Sequence, residues 1–242
     1  VWMEAVSPVG LRNAYVKPAF DNSRFVVEPN FYALEKGLKL RIKVLDGTKV
    51  VASATETATV PMTVVLPVKN VKTWSPESPF LYDLEYEVLN AQNHVVDKVK
   101  SYAGMRKVHI EGNRVFLNNR PLYLRMVLDQ GFYPKGVWTA PTDADLKGDI
   151  ERAMAVGFNS ARLHQKVFEE RFHYWADKLG YLTWGEAASW GMDINGTAAA
   201  RNFITEWAEV VERDRNHPSI ITWTPFNETW GSRDGVYVRL MN

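Results

Sequence analysis

The sequence predicts an antiparallel β-sandwich followed by an α/β region that forms the first half of an eight-stranded (β/α) barrel. Two patterns carry that reading. Apolar and polar residues alternate with period two through the first hundred or so positions, and after about Gly104 short apolar runs alternate with helical periodicity. The length agrees, since 242 residues with 46% hydrophobic content suit one large domain or two ordinary ones. The boundary falls at 105/106, with the sandwich over 1–105 and the half-barrel over 106–242.

In "LKLRIKV" the residues Leu38, Leu40, Ile42 and Val44 interleave with Lys39, Arg41 and Lys43. In "YDLEYEV" Tyr82, Leu84, Tyr86 and Val88 interleave with Asp83, Glu85 and Glu87. Successive strand side chains point to opposite faces, so each run is a strand with one wet face. Asp46-Gly47 separates two such runs and predicts a type I′ hairpin, which wants positive φ at both central positions. Short strands at this spacing, with no convincing helix between them, make an antiparallel sandwich.

A last hairpin, "RVFLNNRPLYLRMV", turns at Asn118-Asn119, residues that tolerate the left-handed region. Helices follow. The first starts at Thr142, an N-cap with Asp145 three residues on, carries Leu146, Ile150 and Met154 on one face, and ends at Gly157. After the strand "FNSARLH" a second helix shows Phe172, Trp175, Ala176 and Leu179 before Gly180, and the strand "YLTWGE" comes next. The third helix shows Ile204, Trp207, Ala208 and Val211, Asn216-His217-Pro218 breaks it, and "SIITWTPF" is the fourth strand. Parallel βα units close as a barrel or spread as a doubly wound sheet. The Gly-rich dinucleotide turn of a nucleotide-binding sheet is missing, which favours the barrel. A full barrel needs about 250 residues and eight units. The chain is therefore expected to be a segment of a longer protein, and its start at Val1 instead of Met agrees. The exposed half-barrel is expected to favour pairing with a second copy.

Composition removes several function classes. With 29 Lys and Arg against 28 Asp and Glu, the net charge is +1 and no basic cluster suits a phosphate backbone, so no nucleic acid partner is expected. Cysteine is absent, which excludes disulfides, thiolate metal sites and a cysteine nucleophile. Runs such as "PMTVVLPV" fall short of the roughly 18 residues that span a bilayer, so no membrane is expected, and the compartment stays open. His94, His109, His173 and His217 are scattered over different elements without HExxH spacing, so neither a metal nor any other cofactor is expected. No Ser stands in a nucleophile elbow.

Parallel βα architectures bind ligands beyond the C-terminal ends of their strands. The residues there are Asp129, then Arg162 and His164, then Trp184 and Glu186, and last Asn227 and Glu228. Each has a bland alternative: Asp129 as a loop cap, Arg162 paired with Glu186, His164 as a core imidazole. Together they put carboxylate, imidazole, guanidinium, amide and indole groups on one rim, a composition suited to a polyhydroxylated ligand. Cleaving a glycosidic bond takes one carboxylic acid to protonate the leaving oxygen and a second carboxylate across the sugar. Glu228 is well placed to be the first.

The segments "TWSPESPFLYDLEYEV", "FLNNRPLYLRMV", "LDQGFYP", "GFNSARLHQ", "YWADKLGYLTWGE" and "RDRNHPSIITWTPFNE" resemble glycoside hydrolase family two, the β-galactosidase, β-glucuronidase and β-mannosidase group. The lead from Arg215-Asn216-His217-Pro218 into Asn227-Glu228 is the most specific of them, and "VWMEAVSP" resembles the exit from an N-terminal sugar-binding β domain. The resemblance implies an immunoglobulin-like sandwich and a TIM barrel whose fourth strand carries the general acid and base of a retaining mechanism, here Glu228. It implies that Asn227 bonds the sugar 2-hydroxyl and that Arg162, His164 and Trp184 help to line the pocket. The family's nucleophile comes from a later strand, beyond Asn242, so this chain alone is expected to be inactive. Met126 replaces a usual Gly, "DQGFYP" lacks a His found in many β-galactosidases, and Asn118-Asn119 stands for Asn-Gly. Ala188, shortly after Glu186, stands where the magnesium-binding members have His, and "TPFNE" differs from the usual lead into Asn-Glu. The expected parent is a retaining exo-β-glycosidase, most nearly a β-galactosidase, acting on carbohydrate. A non-catalytic carbohydrate-binding or scaffold module of the same fold is the alternative, and an unrelated βα-barrel hydrolase is a more distant third.

Overall fold

The computed structural model describes residues 3–193 and 196–228. The chain divides into two compact units, Val1–Leu122 and Tyr123–Asn242.

In the first unit the strands are β1 (Leu11–Ala19), β2 (Arg24–Phe31), β3 (Lys39–Asp46), β4 (Lys49–Thr57), β5 (Val64–Pro67), the short pair β6 (Trp74–Ser75) and β7 (Ser78–Pro79), β8 (Tyr82–Leu89) and β9 (Val95–Ala103). Two antiparallel sheets, ordered β1-β2-β5 and β4-β3-β8-β9, make the sandwich. Period two decides what each strand buries. Leu40 faces Val88, Ile42 faces Tyr86 and Val44 faces Leu84, and these join Phe25, Val27 and Leu66 in one core. Each large apolar side chain buried there contributes roughly 1.5–3 kcal/mol. On the wet face Arg41 lies opposite Glu87 and the two pair at 3.0 Å, with Lys98 at 3.4 Å on the other side. Burial pushes the Glu87 carboxyl upward, but Arg41, Lys43 and Lys98 outweigh it and hold the group below its ordinary range.

The Asp46-Gly47 turn differs from the expected one. Asp46 pairs with Lys49, so Gly47 and Thr48 form the loop, and Gly47 at φ +61° takes the first central position, where a type II′ turn wants glycine. An irregularity between Val44 and Leu45 shifts the register by one residue and moves the turn along the chain. The sheet of β10 (Val108–Glu111), β11 (Arg114–Leu117) and β12 (Arg120–Leu122) completes this unit. Its Asn118-Asn119 turn has both residues left-handed, at φ +52° and +62°, as a type I′ hairpin needs.

The second unit runs β13 (Met126–Asp129), α1 (Asp143–Ala155), β14 (Ser160–Leu163), α2 (Glu170–Leu179), β15 (Leu182–Glu186), α3 (Thr197–Asp214) and β16 (Ile220–Thr224). All pairs are parallel and the sheet order β13-β14-β15-β16 follows the sequence. A doubly wound sheet reverses its order at a switch point, whereas a barrel adds strands in sequence. Thr142 caps α1, its hydroxyl accepting from the Asp145 amide, and Gly180 ends α2 at φ +77°. Leu146 and Ile150 are buried as their spacing predicts, while Met154 points outward. The third helix is rotated from the expected stripe. Ala200, Phe203, Trp207 and Asp214 are buried instead of Ala208, because Phe203 stacks on Phe226 after β16 and Trp207 meets Trp223 within β16 edge to face. Among the described residues no helix is long and apolar enough to cross a membrane.

Candidate active site

The register brings the strand ends level. Asp129 pairs with Leu163, Arg162 with Trp184, and Glu186 with Thr224, so the loops that leave the strands emerge on one rim. Arg162 is the hub of that rim. Its Nε donates to Glu186 Oε2 at 2.6 Å and its Nη2 to Glu186 Oε1 at 3.1 Å and to Asn227 Oδ1 at 2.6 Å. The Glu186 carboxylate is fully buried, and its hydrogen bond to Arg162, with Glu228 adding attraction, raises the guanidinium pKa further. A bidentate fork fixes direction as well as distance. Asn227 is thereby held with its oxygen toward Arg162.

Beyond this hub lies a pocket of about 420 Å³, lined by Gln130, Phe132, Trp138, His164, Gln165, Trp190, Asn227 and Glu228. Of the residues expected from sequence, His164, Asn227 and Glu228 line it. Arg162 and Glu186 stand off the lining and orient it. His164 Nδ1 is 2.9 Å from Gln130 Nε2. Asp129 accepts from the Gly131 amide at 2.8 Å, and burial pushes its carboxyl above the usual range against that bond. Trp184 is half-buried, and among the described residues its enclosed indole N–H has no hydrogen-bond partner. Glu228 is exposed and left-handed, at φ +51°. Thr229, Trp230 and Gly231, which follow it, lie outside the described residues. Among the described residues no group of three or more His, Asp and Glu is arranged to hold a metal ion.

Sequence reasoning missed Gln165. It is left-handed at φ +56°, its amide N–H donates to Glu186, and its Oε1 accepts from the Ser189 and Trp190 amides at 2.9 and 3.0 Å. That clamp sets Trp190 on the pocket wall, and Ser189 Oγ in turn accepts from the Asn227 amide at 3.2 Å. The available signal was position: Gln165 directly follows His164 at the end of β14.

Behind β16 the "RDRNHPS" segment works as a lock. His217 Nδ1 meets Asp177 Oδ2 at 2.6 Å and the Ser219 amide donates to Asp177 Oδ1 at 2.9 Å, tying β16 to α2. Arg213 grips Asp214 with two bonds of 2.6 and 2.7 Å. The His173 ring lies 5.2 Å from that of His217, and burial followed by the His217 charge lowers its pKa to about 3. His217 goes the other way: burial opposes the proton, but Asp177 and Asp214 outweigh it and raise the pKa. Stability from a raised histidine is complete below the unfolded value near 6.5 and is lost only as pH rises through the folded value. Between pH 6.5 and 5 the change therefore belongs to His173, whose unfolded form takes up a proton that the folded form refuses. Hydrogen-exchange protection of the β16 and α3 amides, corrected for intrinsic rates, is expected to fall by about 2 kcal/mol across that window. His173→Phe should flatten the slope, and an unchanged slope would refute the assignment.

Residues 13–106 match the family model for glycosyl hydrolases family 2, and residues 108–242 match the TIM barrel domain of that family. The chain belongs to glycosyl hydrolases family 2. This family 2 chain is 31% identical over 168 residues to a β-galactosidase of Pseudoalteromonas haloplanktis, covering 66% of the chain and 16% of that protein. It is 31% identical over 204 residues to a putative β-glucuronidase of Formosa agariphila, covering 80% and 19%. The chain thus spans under a fifth of the length of these relatives. A β-D-glucuronidase structure from Dictyoglomus thermophilum superposes with TM-score 0.81 at 24% identity, over 96% of this chain and 41% of that one. A family 2 member from Bacteroides cellulosilyticus gives TM-score 0.83 at 23% identity, over 97% and 33%. Likeness at this identity speaks for the fold, a sandwich followed by part of a TIM barrel.

Proposed function

We propose that this chain carries the acid/base half of the active site of a retaining β-glycosidase that removes terminal β-linked sugars, with Glu228 as general acid and then general base. The observation that carries this reading is the junction after β16. Asn227 is held through Arg162 by the buried Glu186, and Glu228 follows it into a pocket of sugar-sized volume. Glu228 protonates the departing oxygen and later takes a proton from the incoming water. Asn227, its oxygen occupied by Arg162, donates from Nδ2 to the hydroxyl beside the anomeric carbon. His164 and Gln130 supply further polar contacts, and Trp184 and Asp129 support the rim.

The partner carboxylate belongs about 5–5.5 Å from Glu228 in retaining geometry. Glu186 is committed to Arg162 and Asp129 to Gly131, so the nucleophile is assigned to sequence outside the described residues. A polypeptide of these 242 residues is accordingly expected to leave aryl β-glycosides intact, while a full-length protein of the relatives' extent hydrolyses them. A nitrophenyl panel of β-galactoside, β-glucuronide, β-glucoside and β-mannoside tests the class, with the galactoside expected to be fastest. Saturable carbohydrate binding without turnover of any member would favour the non-catalytic module instead.

A further inference from the structure

The loop between β13 and α1 carries two large exposed rings, Phe132 and Trp138, whose centroids lie 5.0 Å apart in an edge-to-face pair. They are 59% and 49% exposed, and Trp190, which lines the same pocket, is 70% exposed. Aromatic area left in water has an apolar cost, and rings gathered on one wall mark a contact surface. The segment that presents them is nevertheless tightly held. Tyr133 and Val137 exchange backbone hydrogen bonds of 2.9 and 2.8 Å, with Val137, a β-branched residue, left-handed at φ +55°.

The holding device is Lys166, a cation only 4% exposed. Its Nζ donates to the carbonyls of Gly131 and Trp138, each at 2.7 Å, so one ammonium ties the two ends of the ring-bearing segment. The Tyr133, Trp138 and Phe168 rings surround it at 5.8, 5.1 and 5.0 Å. Gly131 is left-handed at φ +61°, and a Cβ there would sit 2.8 Å from the ammonium and from the Phe168 ring. Burying an ammonium is costly and needs specific compensation. The compensation found here fixes the backbone beneath the two rings.

We propose that Phe132 and Trp138 form the leaving-group platform of the pocket, taking an uncharged ring with an apolar face, and that Lys166 is the positioning residue that preorganises it. This rests on Glu228 being the acid. An acid stands beside the departing oxygen, and the pocket that Glu228 lines is also lined by these two exposed rings, so a ring-shaped leaving group can rest on them. The platform selects by stacking, and a small aliphatic leaving group gains nothing from it.

The test uses the full-length enzyme and the glycone that it hydrolyses fastest, attached to cyclohexyl, methyl, phenyl or a second sugar. Cyclohexanol and methanol are alcohols of similar acidity, so the cyclohexyl-to-methyl ratio of kcat/KM reports on the ring. Trp138→Ala is expected to lower that ratio at least tenfold, and Lys166→Met to lower it in the same direction. A purely structural lysine would reduce thermal stability and leave the ratio unmoved. A parallel drop for the disaccharide identifies a sugar face as the natural occupant, and a drop confined to cyclohexyl and phenyl identifies a non-sugar aglycone. A ratio within twofold of wild type in Trp138→Ala overturns the platform. If the wild type hydrolyses none of these glycosides, the acid/base reading fails by itself. The platform is then judged by tryptophan emission during titration with phenyl β-D-galactoside: a saturable change lost in Trp138→Ala supports it, and no change overturns it.

Discussion

Glu228→Gln in the full-length enzyme is expected to lower kcat/KM on alkyl β-glycosides on the order of 10²–10⁴-fold, the range of a positioned general acid and base. Glutamine keeps the size and the hydrogen-bonding reach of the side chain but cannot deliver a proton. The loss should therefore depend on the leaving group. A nitrophenolate departs with little protonation, so glycosylation of the nucleophile is spared and the second step, which needs a base for water, becomes limiting. Nitrophenyl substrates should then show a burst of product followed by slow turnover, with KM lowered because the covalent intermediate accumulates. Equal losses for alkyl and nitrophenyl substrates without a burst would remove Glu228 from the proton-transfer role. Because Arg162 and Ser189 hold the preceding residue, Asn227, the variant should keep the wild-type fold.

Arg162→Met is expected to be the most damaging change to the second unit. Glu186 is fully buried and its two oxygens accept from Arg162, so removing the guanidinium strands a carboxylate out of water. Breaking a buried pair in this way costs roughly 3–5 kcal/mol, whereas replacing both partners with apolar residues is often near neutral. Native-state hydrogen exchange at β14 and β15 amides should register the local loss, and the double variant Arg162→Met with Glu186→Leu should recover most of it. The two variants should still be alike in activity, because both free the Asn227 side chain from its fixed orientation. Recovery of stability together with recovery of activity would show that the hub has no part in the chemistry.

The sandwich strands were legible because period two has only one physical meaning in a half-buried sheet: Leu38, Leu40, Ile42 and Val44 all face the core as their alternation requires. The Asn118-Asn119 turn was legible for the same kind of reason, since few residues accept two consecutive left-handed conformations. The Gly47 turn was misplaced by one residue because a register shift two residues earlier leaves no local trace. In α3 the apolar positions are frequent enough to draw more than one stripe. Phe226, beyond the next strand, decides that Phe203 faces inward in place of Ala208.

At the site, the strand-end rule located His164, Asn227 and Glu228, all of which line one pocket. It stopped one residue short of Gln165 and gave no place to Phe132, Trp138 or Trp190, whose positions depend on loop clamps made by Lys166 and by the Gln165 side chain.

Taken alone, the sequence determined the two-part architecture, the family and the residues that end each parallel strand, because periodicity, turn chemistry and motif order are local properties of a chain. Only the tertiary structure decided that Arg162 serves Glu186 and Asn227 together, that a buried lysine aims the aromatic loop, and that His217 and Asp177 brace the strand before Glu228. Those contacts join residues 20 or more positions apart, and which charge meets which is settled by packing, where an unpaired buried group is too costly to leave.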